Sequence, residues 1–288
     1  MTNPDTIQIR SSCAILYQDQ HVNRIYKSGH SLLRNFRNKR TYSGEVSPST
    51  AKRIARTVSV FVQKSPTKVV YNDVLQRKVR FKLSFLTLTV PDLTTNDASH
   101  YYKVLLKPFL RYIKSRFGVE SYIWKAEVQS RGSIHYHLTL NTFIPYTYIL
   151  EKWNELLDQN SLMEVYKLKH GNNQPNSIDI HSVRNISNIE AYLVKYISKQ
   201  DKNGYTFKGK VWGCSENLQK VKYFSDWLCL DAKEAINDAI GKGYLVVKYL
   251  DNCIIAKFVR GYSLAMISKI INERYLAWCY DKSPILNL

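Results

Sequence analysis

The chain has 288 residues, of which 44% are hydrophobic and 12% aromatic, enough apolar material for a core and too much for wholesale disorder. Its 42 Lys and Arg against 23 Asp and Glu leave a net charge of +19, an excess that favours a phosphate-rich partner through counterion release. No apolar run reaches the ~18 residues of a membrane span, and five scattered cysteines with no CxxC pair outline neither a disulfide framework nor a zinc knuckle. The N-terminus "MTNPDTIQIR" reads as neither signal peptide nor anchor. A reducing cytoplasm is the simplest compartment.

Residues 1–75 form a basic N-terminal extension. Ser47 followed by Pro48 reads as an N-cap with proline at the first helical position. Ile54, Val58 and Val62 then recur on one face, with Lys52, Arg53 and Arg56 around the rest. The pattern predicts a basic amphipathic helix over 48–63. Packing on the catalytic core and direct contact with DNA are equally open to it.

"FKLSFLTLTVPD", residues 81–92, predicts a central strand ending at a Pro-Asp turn. Residues 97–118 have helical periodicity, with Pro108 inside and Gly118 as the stop. "SYIWKAEVQ" and "SIHYHLTLN" flank a short loop and predict a hairpin. A helix in "YTYILEKWNELLDQN" and a short strand in "NSIDIHSV" follow. The next helix, "SNIEAYLVKYISK", opens on a Ser187–Glu190 capping box. Strands and helices interleaved around a hairpin argue for an α+β fold with antiparallel pairs. Residues 76–215 make the central domain, and residues 216–288 an α+β extension of open role. No GxxxxGK[ST] phosphate loop occurs, so duplex opening falls to something other than a motor of that type.

The chemistry gathers in two places. In "GSIHYHLTL", His135 and His137 share one strand face. Two imidazoles there are half of a metal site, or an ordinary polar strand face. Glu127 lies on the partner strand and shares that face if the turn register is even. Gln129 has the same parity and competes as third ligand. Two histidines and a carboxylate suit Mg²⁺ or Mn²⁺, although imidazole also accepts Zn²⁺. On the later helix Tyr192, Lys195, Tyr196 and Lys199 fall within one arc of roughly 100°. Phenols near pKa ~10 are poor nucleophiles unless a cation favours the phenolate.

The order "FLTLTV", "HYH", "YLVKYISK" resembles the HUH endonucleases that initiate rolling-circle replication. It is most similar to the two-tyrosine initiators of single-stranded DNA phages and bacterial plasmids. Tyr192-Leu193-Val194-Lys195-Tyr196-Ile197-Ser198-Lys199 fits that family's third motif at every position. His135-Tyr136-His137 fits its second.

The resemblance implies a central antiparallel sheet with flanking helices, an RRM-like palm with a metal on its open face. It implies metal-assisted attack by a tyrosine on origin single-stranded or extruded-hairpin DNA, a 5′-phosphotyrosine adduct, and a free 3′-OH. A later attack by the other tyrosine rejoins the displaced strand. Tyr192 is the first expectation for the nucleophile and Tyr196 the alternate, with Lys195 steadying phosphate or phenolate. The metal ligands expected are His135, His137 and Glu127. Lys199, Arg131, Thr87 and Thr89 are expected along the DNA. A host helicase and polymerase in a bacterial cytoplasm complete the picture, with no membrane involved. Two alternatives stand beside it: a non-catalytic origin-binding initiator or repressor, and a single-tyrosine transposase or relaxase relative.

Overall fold

The structure is a computed structural model. It describes residues 4–10, 13–18, 46–72, 75–91, 98–129, 133–171, 175–182, 189–198, 209–250, 253–259 and 262–280. The elements begin with β1 (Thr6–Ile9), β2 (Cys13–Tyr17), α1 (Pro48–Gln63), β3 (Lys68–Asn72), β4 (Arg77–Phe81) and β5 (Ser84–Val90). Then come α2 (Ala98–Tyr101), a π-helical turn (Tyr102–Leu106), α3 (Lys107–Phe117), β6 (Tyr122–Val128) and β7 (Ile134–Leu140). α4 (Tyr146–Gln159), α5 (Glu164–His170), β8 (Ile178–Ser182), α6 (Ile189–Ser198) and β9 (Trp212–Cys214) follow. The chain closes with β10 (Phe224–Trp227), α7 (Leu230–Gly241), β11 (Leu245–Tyr249), β12 (Cys253–Phe258), α8 (Leu264–Ile267) and α9 (Lys269–Tyr280). The fold is α+β with antiparallel sheets, as the sequence pattern predicts. Among the described residues no helix is long and apolar enough to cross a membrane.

Two compact units emerge: Thr41–Val221, and Met1–Arg40 together with Lys222–Leu288. These boundaries differ from the 75/76 and 215/216 divisions drawn from composition. The reason is non-local pairing. β1 and β2 hydrogen-bond with β10 and β12, far along the chain.

In the first of these units the sheet runs β8-β5-β7-β6-β9. Alternation sorts its side chains. Leu86, Leu88, Tyr136, Leu138, Trp124 and Ala126 are buried on one face, each large one worth about 1.5–3 kcal/mol on leaving water. α3 and α4 meet there through Phe109 and Trp153, whose ring centroids are 5.6 Å apart. The Trp153 indole Nε1 donates to the Thr89 carbonyl at 2.9 Å, so its polar edge is satisfied. Trp124 and Tyr136 therefore serve the core and not base stacking.

Pro108 is accommodated without a break. The Lys107 amide reaches back to the Tyr102 carbonyl across the π-turn, and the wider ring absorbs the proline's missing donor. α3 ends at Gly118 with φ 63°, as the stop signal predicts.

α1 has the Ser47 N-cap, accepting from the Thr50 amide, and Pro48 in the first turn. Its burial exceeds the predicted single stripe: Thr57, Val58, Ser59, Val60, Phe61 and Val62 are all buried. The excess arises because α1 packs against α6.

Gly213 pairs with Trp124 across β9 and β6. A Cβ at that glycine would stand 2.7 Å from the Trp124 Nε1. Gly213→Ala is therefore expected to cost about 1–3 kcal/mol by overpacking. Urea unfolding measures it; an unchanged midpoint would show that the indole yields freely.

Candidate active site

The sheet face opposite that core carries the polar residues. Register places Thr89, His135 and Glu127 in one cross-strand row, with Asp179, Thr87, His137, Lys125 and Trp212 in the next. The hairpin register is thus even. Glu127 sits directly opposite His135, as parity requires for a shared face.

The His137 Nε2 lies 3.1 Å from the Glu127 Oε2. A carboxylate only accepts, so the imidazole donates there. That leaves its Nδ1 to accept from the Thr87 hydroxyl at 3.1 Å. His135 is bracketed similarly: the Gln129 Nε2 stands 3.0 Å from its Nδ1 and the Thr89 hydroxyl 3.4 Å from its Nε2. Burial first, and then the neighbouring His137, push the His135 imidazole down to about 4. It is neutral at pH 7, the form in which imidazole can ligate a cation.

α6 lays its phenols over this face. Ile197 and Leu193 are buried and pin the helix. The Tyr196 ring centroid is 4.9 Å from that of His137, edge to face, and its hydroxyl donates to the Glu127 Oε2 at 3.3 Å. Tyr192 lies one turn away, stacked on Tyr196 at 6.2 Å and 40% exposed. Phe85 packs under both, at 5.1 Å from Tyr196 and 6.4 Å from Tyr192, and stacks on His137 at 5.7 Å. One carboxylate oxygen therefore joins an imidazole and a phenol.

Residues 83–201 match the family model of the replication-associated protein ORF2. Over that segment the chain is a replication-associated protein. No curated protein and no solved structure matches it. The matched segment contains β5, the histidine strand and the tyrosine helix.

Within this replication-associated domain the structure brings His137, Glu127 and Tyr196 into contact and places His135 beside them. Thr87 and Thr89, expected along the DNA, hydrogen-bond the imidazoles. Lys195 is exposed on α6. Lys199, Arg131 and the Ser187 cap lie outside the described residues. Among the described residues no group of three His, Cys, Asp or Glu side chains stands close enough to hold a metal ion. The donor types nevertheless fit one. His137 Nε2 and Glu127 Oε2 have the roughly 3 Å spacing of adjacent ligands at bonds near 2.1 Å, while Gln129 and Thr89 take up the nitrogens of His135.

Two residues escaped sequence reading. Phe85 is an ordinary β-strand aromatic until the tyrosine helix is seen upon it. Lys125 is only 3% exposed, on the row of His137. A lysine so buried is rare. Its parity with Glu127 was the available signal.

Proposed function

We propose that this replication-associated protein is a replication initiator that nicks and rejoins single-stranded origin DNA through its tyrosines. The observation that carries the reading is the Tyr196 hydroxyl, held by the same Glu127 oxygen that meets His137. A phenol next to a carboxylate and two imidazoles is arranged for attack on a phosphodiester.

The tyrosine oxygen bonds to phosphorus and the P–O3′ bond breaks. This leaves a 5′-phosphotyrosine and a 3′-OH that a host polymerase extends. Glu127, already accepting from Tyr196, is placed to draw off the phenol proton. Lys195, one turn from both phenols, offers its charge to phosphate or phenolate. Mg²⁺ or Mn²⁺, held by His135, His137 and Glu127, would supply Lewis-acid activation of the phosphate. Tyr192 serves as second nucleophile when the strand is rejoined. Thr87 and Thr89 act as positioning residues that fix the two imidazoles. A host helicase opens the duplex.

The test is a covalent protein–DNA adduct on oligonucleotides tiled across the origin, formed with Mn²⁺ and absent with EDTA. Tight binding with no adduct on any tile would favour a non-catalytic origin binder.

Affinity for the backbone has a visible source. The β3–β4 ribbon exposes Lys68, Arg77, Lys78 and Arg80 together with Tyr71. Replacing Arg77, Lys78 and Arg80 by alanine is expected to flatten the salt dependence of binding to single strands. The slope of log K against log salt should fall by about 0.7 for each phosphate the ribbon no longer neutralises. Anisotropy titrations across salt concentrations measure it, and an unchanged slope would place the ribbon off the DNA path.

A further inference from the structure

The second unit, Met1–Arg40 with Lys222–Leu288, carries its own sheet, ordered β10-β1-β2-β12-β11. One face is sealed. Ile7, Leu16, Phe224 and Ala256 pack with Ile236 of α7 and Ile271 of α9. Asp226 belongs to that side, where its carboxylate accepts from the Arg274 guanidinium of α9 at 3.0 Å.

The opposite face has a different character. Trp227, Thr6 and Tyr17 stand in one cross-strand row, with Thr6 between the two rings. Trp227 is 65% exposed, an unusual state for tryptophan without a ligand. Two strand spacings put the rings roughly 10 Å apart. Lys248 and Lys257 project from β11 and β12 on the same side, both exposed. Arg10, just past β1, lies with its guanidinium 4.7 Å over the Tyr223 ring and donates to the Gln8 side chain at 3.2 Å. Among the described strand residues that project there, none is Asp or Glu.

The geometry points to this face as a second binding surface for single-stranded DNA, separate from the tyrosine site. Aromatic rings on an open antiparallel sheet stack bases regardless of sequence, and flanking cations track the phosphates. Charge decides the occupant. A face with Arg10, Lys248 and Lys257 and no carboxylate suits a polyanion, and the exposed rings suit unpaired bases over a closed duplex. The inference goes beyond the nicking reading and does not depend on it.

The test uses the full chain and a dT oligonucleotide carrying 5-iodouracil, in EDTA. Ultraviolet crosslinking followed by peptide mapping should place adducts on Trp227 or Tyr17. Anisotropy with dT oligonucleotides should show about tenfold weaker binding for Trp227→Ala and for the Lys248→Glu/Lys257→Glu pair. Trp227→Phe should recover most of the affinity. Circular dichroism checks that the variants stay folded. Adducts confined to residues 84–198, with unchanged affinity in both variants, would overturn the proposal. So would tighter protection of the same peptides by RNA than by DNA. Adduct formation through Tyr192 and Tyr196 is read separately, so failure of nicking leaves this result interpretable.

Discussion

The double variant Tyr192→Phe/Tyr196→Phe is expected to form no covalent adduct with origin DNA. The loss should be at least about a thousandfold, because removing the attacking oxygen removes the reaction. Each single variant keeps one phenol over the sheet and should still be captured on a denaturing gel. The two singles should not behave alike. Tyr196→Phe deletes the hydroxyl held by Glu127, so its first cleavage slows more. Tyr192→Phe removes the outer, 40% exposed phenol and should spare the first cut while abolishing strand rejoining. A double variant that still forms the adduct would move the nucleophile elsewhere. An adduct lost entirely in Tyr192→Phe alone would make Tyr192 the sole attacking residue and Tyr196 a structural one.

The second large effect concerns His137 and Glu127. His137→Ala removes a donor to Glu127, an acceptor for Thr87 and the ring against which Tyr196 packs. Glu127→Ala releases both the imidazole and the phenol. Each is expected to reduce metal-dependent cleavage by roughly a hundredfold or more, since even supporting residues of a metal centre are worth about 10–100-fold. Thr87→Val should fall within that smaller range and act through apparent metal affinity, leaving the maximal rate nearly intact. Cleavage rates across a Mn²⁺ titration separate the two effects, and calorimetric Mn²⁺ binding gives a readout independent of cleavage. Wild-type rates and metal dependence in Glu127→Ala would remove the carboxylate from the site.

Much of this domain was legible in the chain. Strand alternation has a period of two, so His135, His137 and Glu127 had to share a face once the hairpin closed in even register. The cap at Ser47 and the stop at Gly118 act within a turn of their own residues, and the helix carrying Tyr192 and Tyr196 follows from local periodicity.

The composition and the spacing of "HYH" and "YLVKYISK" by themselves determined the α+β class, the basic partner preference and the pair of elements on which the chemistry sits. Only the tertiary structure decided that Tyr196 and not Tyr192 meets Glu127, because a helical wheel orders side chains around an axis without saying which neighbour each one faces. It alone turned Thr87 and Thr89 toward the imidazoles, buried Lys125 beside them, and joined β1 and β2 to strands from the far end of the chain. Those contacts depend on residues distant in sequence, whose pairing is set by the burial of whole faces and not by any local pattern.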